Sequence, residues 1–205
     1  MYPAKPGFII GFHGCDKKIR DSIVSGKSFI KPSENDYDWL GHGIYFWENN
    51  QHRALQFAKD LKKFPRAGKE TIKTPAVLGA VIDMGFCLDL LDSEYLQLLR
   101  ESYQTLEESF KILGLSMPAN RNIPGSSDLL LRRLDCAVIE NLHIQRAANN
   151  LPAFDSARGV FIEGEKLYPS AGFNEKNHIQ VCVRNPNCLK GFFIPLQPDN
   201  KFEIP

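Results

Sequence analysis

The chain has 205 residues, 43% hydrophobic and 24% charged, enough for one domain whose core needs no covalent staples. Its 25 Lys and Arg balance 24 Asp and Glu at a formal net charge of +1, which excludes a nucleic-acid clamp working by bulk charge. The five cysteines (Cys15, Cys87, Cys136, Cys182 and Cys188) are scattered, with no CxxC pair, so the expectation is buried thiols in a reducing compartment and no metal site. No apolar run approaches the ~18 residues of a membrane span, and the start MYPAKPGFIIGFHG lacks the features of a secretory leader. A cytoplasmic protein without membrane contact is expected.

In chain order, Gly7–Gly14 is a glycine-bounded apolar run and predicts a buried strand. Asp16–Ser25 predicts a short helix, with Ile19 and Ile23 on one face and Gly26 as its stop. Lys31–Gly43 is a loop by composition, Gly43–Trp47 a second strand, and Asn49–Leu61 a helix that Asn49 or Asn50 caps. Val77–Asp83 and Phe86–Leu90 predict two strands. The period then changes to helical over Asp92–Leu113 and Ser127–Ala148, with a proline break at Met117–Gly125. Three short strands follow at Gly159–Glu163, Ile179–Arg184 and Leu189–Ile194, and the final PDNKFEIP reads as a loose end. β structure at both ends with helices between predicts a single α+β domain over 1–205 carrying a helical insertion at about 92–148.

Three segments carry candidate chemistry. His13-Gly14-Cys15 ends the first strand, and a glycine there lets a ligand approach the backbone closely. Gly41-His42-Gly43-Ile44-Tyr45-Phe46 sets an aromatic pair on a short strand after a glycine turn, a platform for a flat ring or an ordinary core strand. Along Asn177–Arg184, alternation puts His178, Gln180, Cys182 and Arg184 on one face and Ile179, Val181 and Val183 on the other.

Taken together, Phe12-His13-Gly14, Gly41–Phe46 and the strand through Gln180 with Asn185–Phe193 resemble the ADP-ribosyltransferase superfamily, in the branch of diphtheria toxin and the poly-ADP-ribose polymerases. The likeness covers about half the chain, and residues 65–155 match nothing in that pattern. It implies a split β-sandwich around an NAD cleft. His13 would hold the adenosine ribose, the Gly14 main chain the nicotinamide carboxamide, and the Tyr45 ring would stack on nicotinamide, with Phe57 as a second ring one residue out of register. That family's glutamate maps to Gln180, with Glu175 as runner-up. A glutamine keeps the hydrogen bond to the ribose but loses its charge, and a charge-assisted bond is roughly twice as strong as a neutral one. This favours single transfer over chain elongation. His178, two residues earlier, would orient the acceptor or act as general base. Arg158 would meet the pyrophosphate or serve as a structural ion pair, with Arg20 and Lys31 as weaker phosphate contacts.

The implied activity is mono-ADP-ribosyl transfer from NAD to a protein side chain or nucleic-acid base, in a bacterial toxin or defence effector with a cognate antitoxin or immunity protein. The alternatives are an NAD-dependent RNA 2′-phosphotransferase and a catalytically inactive binding module of the same fold. A basic run, Lys59, Lys62, Lys63, Arg66, Lys69 and Lys73, is a solvated face by default and the chain's clearest nucleic-acid feature.

Overall fold

The computed structural model describes residues 7–65, 71–122 and 128–203. Strand β1 (Ile9–Asp16) lies between β2 (Ile44–Glu48) and β3 (Pro75–Ile82), antiparallel to both. With β4 (Cys87–Asp89), β7 (Ser156–Phe161), β8 (His178–Val183) and β9 (Leu189–Phe193), they form a seven-stranded sheet ordered β4-β7-β8-β2-β1-β3-β9. Among the described residues only β4 and β7 are parallel. A parallel pair needs a long crossover, and the helical block supplies it through α3 (Ser93–Ile112) and α4 (Arg133–Ala148). The fold is α+β with a mixed sheet.

The helices start where the sequence supplies caps. Asp16 accepts from the Lys18 N–H to open α1 (Lys17–Val24), and Gly26 in the left-handed region (φ 73°) follows its end. Asn50 accepts from the Arg53 N–H to open α2 (Gln51–Lys63), and Asp92 from the Glu94 N–H to open α3. The fourth helix departs from expectation. It begins at Arg133, with Ser127 outside the described residues, because its cap is remote in sequence. The Asn120 side chain accepts from the N–H groups of Leu134 (3.0 Å) and Asp135 (3.2 Å). That contact follows a two-residue ribbon of β5 (Asn120–Arg121) and β6 (Leu131–Arg132) that no periodicity announces. Likewise β7 starts at Ser156, earlier than its apolar run, since the Ser156 hydroxyl is buried and donates to the Met84 carbonyl (2.7 Å).

Register assigns the faces, because cross-strand partners point the same way. The pairs Phe12↔Trp47, Trp47↔Gln180, Tyr45↔Cys182 and Phe161↔His178 define a front face. The alternate set (Ile44, Phe46, Val181, Val183) points to the back and buries against Ala80 and Ile82 of β3, so both halves of the sheet share one back core. On the front, α3 and α4 cover β4, β7 and β8 around Leu88, Tyr95, Ile139, Leu142 and Phe161. Helix α2 covers β1 and β3, with Ala54 against Trp47 and Val77. The front face of β2 and β8 lies between these two covers.

Candidate functional site

The β1–β2 ladder ends at the rung Phe12↔Trp47, although both strands continue. The Asn49 N–H donates to the Ile10 carbonyl (2.9 Å) and the Lys17 N–H to that of Thr74 (2.8 Å), so even-numbered residues of β1 turn their main-chain groups toward β2. Gly14 therefore directs its N–H and C=O into the parting between the strands. In a continued ladder its partner would be Tyr45. Instead His13 spans the gap, its Nδ1 2.8 Å from the Tyr45 carbonyl. A carbonyl can only accept, so Nδ1 carries the proton and Nε2 keeps its lone pair. Burial holds the His13 pKa below its ordinary value, against the pull of that bond, and keeps the ring neutral at pH 7. A Cβ on Gly14 would run into the carbonyl of Ala54, so glycine is what seats α2 over this strand.

Tyr45 is committed to the preceding turn. Its hydroxyl donates to the Gly41 carbonyl (2.7 Å) and accepts from the Leu40 N–H (2.9 Å). The insertion clamps the same turn: Glu140 of α4 accepts from the His42 N–H (2.7 Å) and pairs with Arg184 (2.5 Å). The ring of Tyr45 is half-buried against the front core.

Next to the parting, the front face gathers polar atoms that are buried and unpartnered. Gln180 is 4% exposed, and among the described residues its Oε1 has no hydrogen bond. The same holds for Nε2 of His178, Nε1 of Trp47, and Nε and Nη1 of Arg53. These four side chains are neighbours. Trp47 and Gln180 are cross-strand partners, the Trp47 and His178 rings are 6.2 Å apart, and the Arg53 guanidinium lies 5.9 Å from the Trp47 ring. Arg53 is neutralised on its other side by buried Glu163 (Nη2 to Oε2, 3.0 Å). Burial pushes the Glu163 pKa up against the pull of Arg53. His178 Nδ1 lies 2.6 Å from the Lys176 carbonyl, so it is the donor and Nε2 an acceptor. Burial lowers the His178 pKa to about 4. The set thus offers donors on Trp47 and Arg53 and acceptors on His178 and Gln180, around a charge pair that already cancels. That suits a neutral group rich in hydroxyls or amides. Leaving such atoms unmatched costs about 1–3 kcal/mol each.

Other sequence candidates fall elsewhere. Arg158 points to the back face, where Nε meets Glu48 at 2.5 Å and Nη1 meets Asp89 at 3.3 Å. It forms a structural ion triad with Glu48 and Asp89, and Asp155 and Glu163, the acids nearest it along the chain, are not its partners. Glu175 is exposed on the β7–β8 connection, with its main-chain N–H on Glu165. Phe57 packs against Trp47 (4.9 Å). Arg20 pairs with Asp21 (2.7 Å), and Lys31 is exposed. Asn50 is the cap of α2, and Arg66 and Lys69 lie outside the described residues. Sequence reasoning passed over Trp47, Arg53 and Glu163. Alternation along β2 could have paired Trp47 with Tyr45, whereas nothing local announces the Arg53–Glu163 contact across 110 residues.

All five cysteines are buried thiols, and burial pushes the pKa of Cys15 to about 11 and of Cys136 to about 12. Among the described residues, no three His, Cys, Asp or Glu side chains converge to hold a metal ion, and no helix is long and apolar enough to cross a membrane. In comparisons with known proteins, no family model and no solved structure matches the chain. The chain is similar to an uncharacterized protein of Methanocaldococcus jannaschii, 26% identical over 198 residues, covering 87% of this chain and 83% of that protein.

Proposed function

We propose that the protein is a mono-ADP-ribosyltransferase of the split β-sandwich type, moving ADP-ribose from NAD to a macromolecular acceptor and releasing nicotinamide. One observation carries the reading. Strands β8, β2 and β1 are consecutive in the sheet, and where β1 parts from β2 the free Gly14 main chain lies one strand from the unpartnered front face of His178 and Gln180, with His13 bridging the parting to the Tyr45 carbonyl from the back-face side, beside Phe46.

The reaction breaks the C1′–N bond to nicotinamide, which leaves with the electron pair, and joins C1′ to an acceptor atom that gives up a proton. In this reading Gly14 offers a carboxamide the N–H and C=O that no rung uses. His13 Nε2 accepts from a hydroxyl of the adenosine ribose. Gln180 Oε1 accepts from a hydroxyl of the reacting ribose, and Trp47 and Arg53 donate to its oxygens. Such contacts are fixed before the reaction begins and need no reorganisation as charge develops on the sugar. With a pKa of about 4, His178 is too weak a base to keep the acceptor's proton at pH 7. Its role is to orient the acceptor through Nε2. Arg158 takes no part, since both its carboxylate partners are on the back face.

The test is incubation with biotin-tagged NAD and a cell lysate, followed by separate protease and nuclease digestion. Transfer of label to macromolecules with wild type, and its loss in Gln180→Ala, supports the reading. Neither label nor free nicotinamide from folded protein would sink it. Full activity in Gln180→Ala with none in Glu175→Ala would move the acidic position to Glu175.

A further inference from the structure

We infer that the end of the sheet beside Gly14 is a docking surface for single-stranded nucleic acid. Three separated segments meet there. The Asp16 carboxylate accepts from the main-chain N–H groups of Lys73 and Thr74 (2.8 Å each), which ties the start of α1, with Lys17 and Lys18, to the start of β3. Helix α2 runs toward the same end. Asn49, just before it, bonds to Ile10 early in β1, while Ala54 and Ala58 lie over Gly14 late in β1. Its last turns, carrying Lys59, Lys62 and Lys63, therefore continue toward Asp16.

All six lysines are exposed, and among the described residues none has a carboxylate within ion-pair distance. With Asp16 and Asp60 counted against them, this end carries a net +4 in a chain whose total is +1, so the remainder of the chain is net negative. Lys17 and Lys18 also occupy the first turn of α1, where the helix dipole disfavours a cation. That crowding of positive charge is relieved by an anionic partner. Nucleic acid is favoured over other polyanions by Phe64, which ends α2 among the lysines. Its ring is 67% exposed, with the Lys63 Nζ 5.1 Å from its centroid. An exposed ring interleaved with cations takes an unpaired base by stacking while lysines follow the phosphates. Such binding stands independently of any NAD chemistry. That the bound strand is also the acceptor rests on the transferase reading.

The experiment uses the full chain without NAD and follows the fluorescence anisotropy of labelled oligo-dT and oligo-U of about 20 nucleotides. Four phosphate contacts give a log–log salt slope of about −2.8, or about 50-fold weaker binding at 200 mM than at 50 mM salt. Lys62→Glu with Lys63→Glu should lower affinity at least tenfold. Phe64→Ala should weaken binding without changing the salt slope, and Lys111→Glu on α3 should leave it unchanged. Preference for oligo-U or oligo-dT assigns RNA or DNA. Absence of binding to both at about 50 mM salt, an equal loss from Lys111→Glu, or binding only to phosphatidylserine vesicles would overturn the inference. Oligonucleotide binding without nicotinamide release would leave it standing while the transferase reading fails.

Discussion

Replacing Gln180 by methionine should make the protein more stable and less active. The side chain is 4% exposed on the front of β8, its Oε1 has no partner, and its cross-strand neighbours are Trp47 and Gly159. An unmatched buried acceptor costs about 1–3 kcal/mol. Methionine is unbranched and of similar length, fills irregular space well and removes that cost. The expected gain is about 1–2 kcal/mol, or a Tm rise of about 2–8 °C for a chain of this size. In the transferase reading the same oxygen meets a ribose hydroxyl, and losing one neutral hydrogen bond in the transition state slows turnover about tenfold. Urea unfolding and nicotinamide release, measured on the same preparation, check both halves. A loss of 1 kcal/mol or more in stability with turnover intact would refute the reasoning, because Gln180 would then be a satisfied structural residue.

Three further outcomes follow from the same geometry. Burial lowers the His178 pKa from 6.5 to about 4, so between those values the unfolded chain binds a proton that the folded one does not. The stability from this group is complete above pH 6.5 and lost on acidification toward pH 4. It falls about 2 kcal/mol between pH 6.5 and 5, and urea titrations at the two pH values should show that slope flattened in His178→Phe; an unchanged slope would assign it to other groups. Gly14→Ala drives a methyl into the Ala54 carbonyl and should cost about 1–3 kcal/mol by overpacking, read as a lower Tm; a neutral result would mean that α2 is not seated on Gly14. Arg158→Met leaves the buried Asp89 and the partly buried Glu48 without this cation and should cost about 3 kcal/mol, while nicotinamide release per folded molecule stays at the wild-type rate. Selective loss of turnover at full stability would instead put Arg158 in the reaction.

Local signals in the sequence accounted for the elements that local physics determines. The apolar run ending at Gly14, the helical period of α3 and the alternation of β8 all became the expected strand, helix and strand. The same alternation put His178, Gln180 and Cys182 on one face, where the register has them. What the sequence left hidden depends on distant pairs. Asn120 caps α4 from outside the helix, and Glu163 neutralises Arg53 from another strand. Arg158 looked like a free cation at a strand start because its partners, Glu48 and Asp89, are 110 and 69 residues away. Composition and periodicity do not announce the parting of β1 from β2. There the Tyr45 carbonyl is taken by the His13 ring and not by Gly14, a contact that no local pattern announces.

The most direct test of the central claim is nicotinamide release from NAD by the purified chain, followed by chromatography at pH 7.5 for wild type and Gln180→Met side by side. The expected result is release by wild type, increased when a macromolecular acceptor is present, and a rate about tenfold lower in the variant although it is the more stable protein. Release at equal rates from both proteins, or none from folded wild type with an acceptor-rich lysate present, would contradict it.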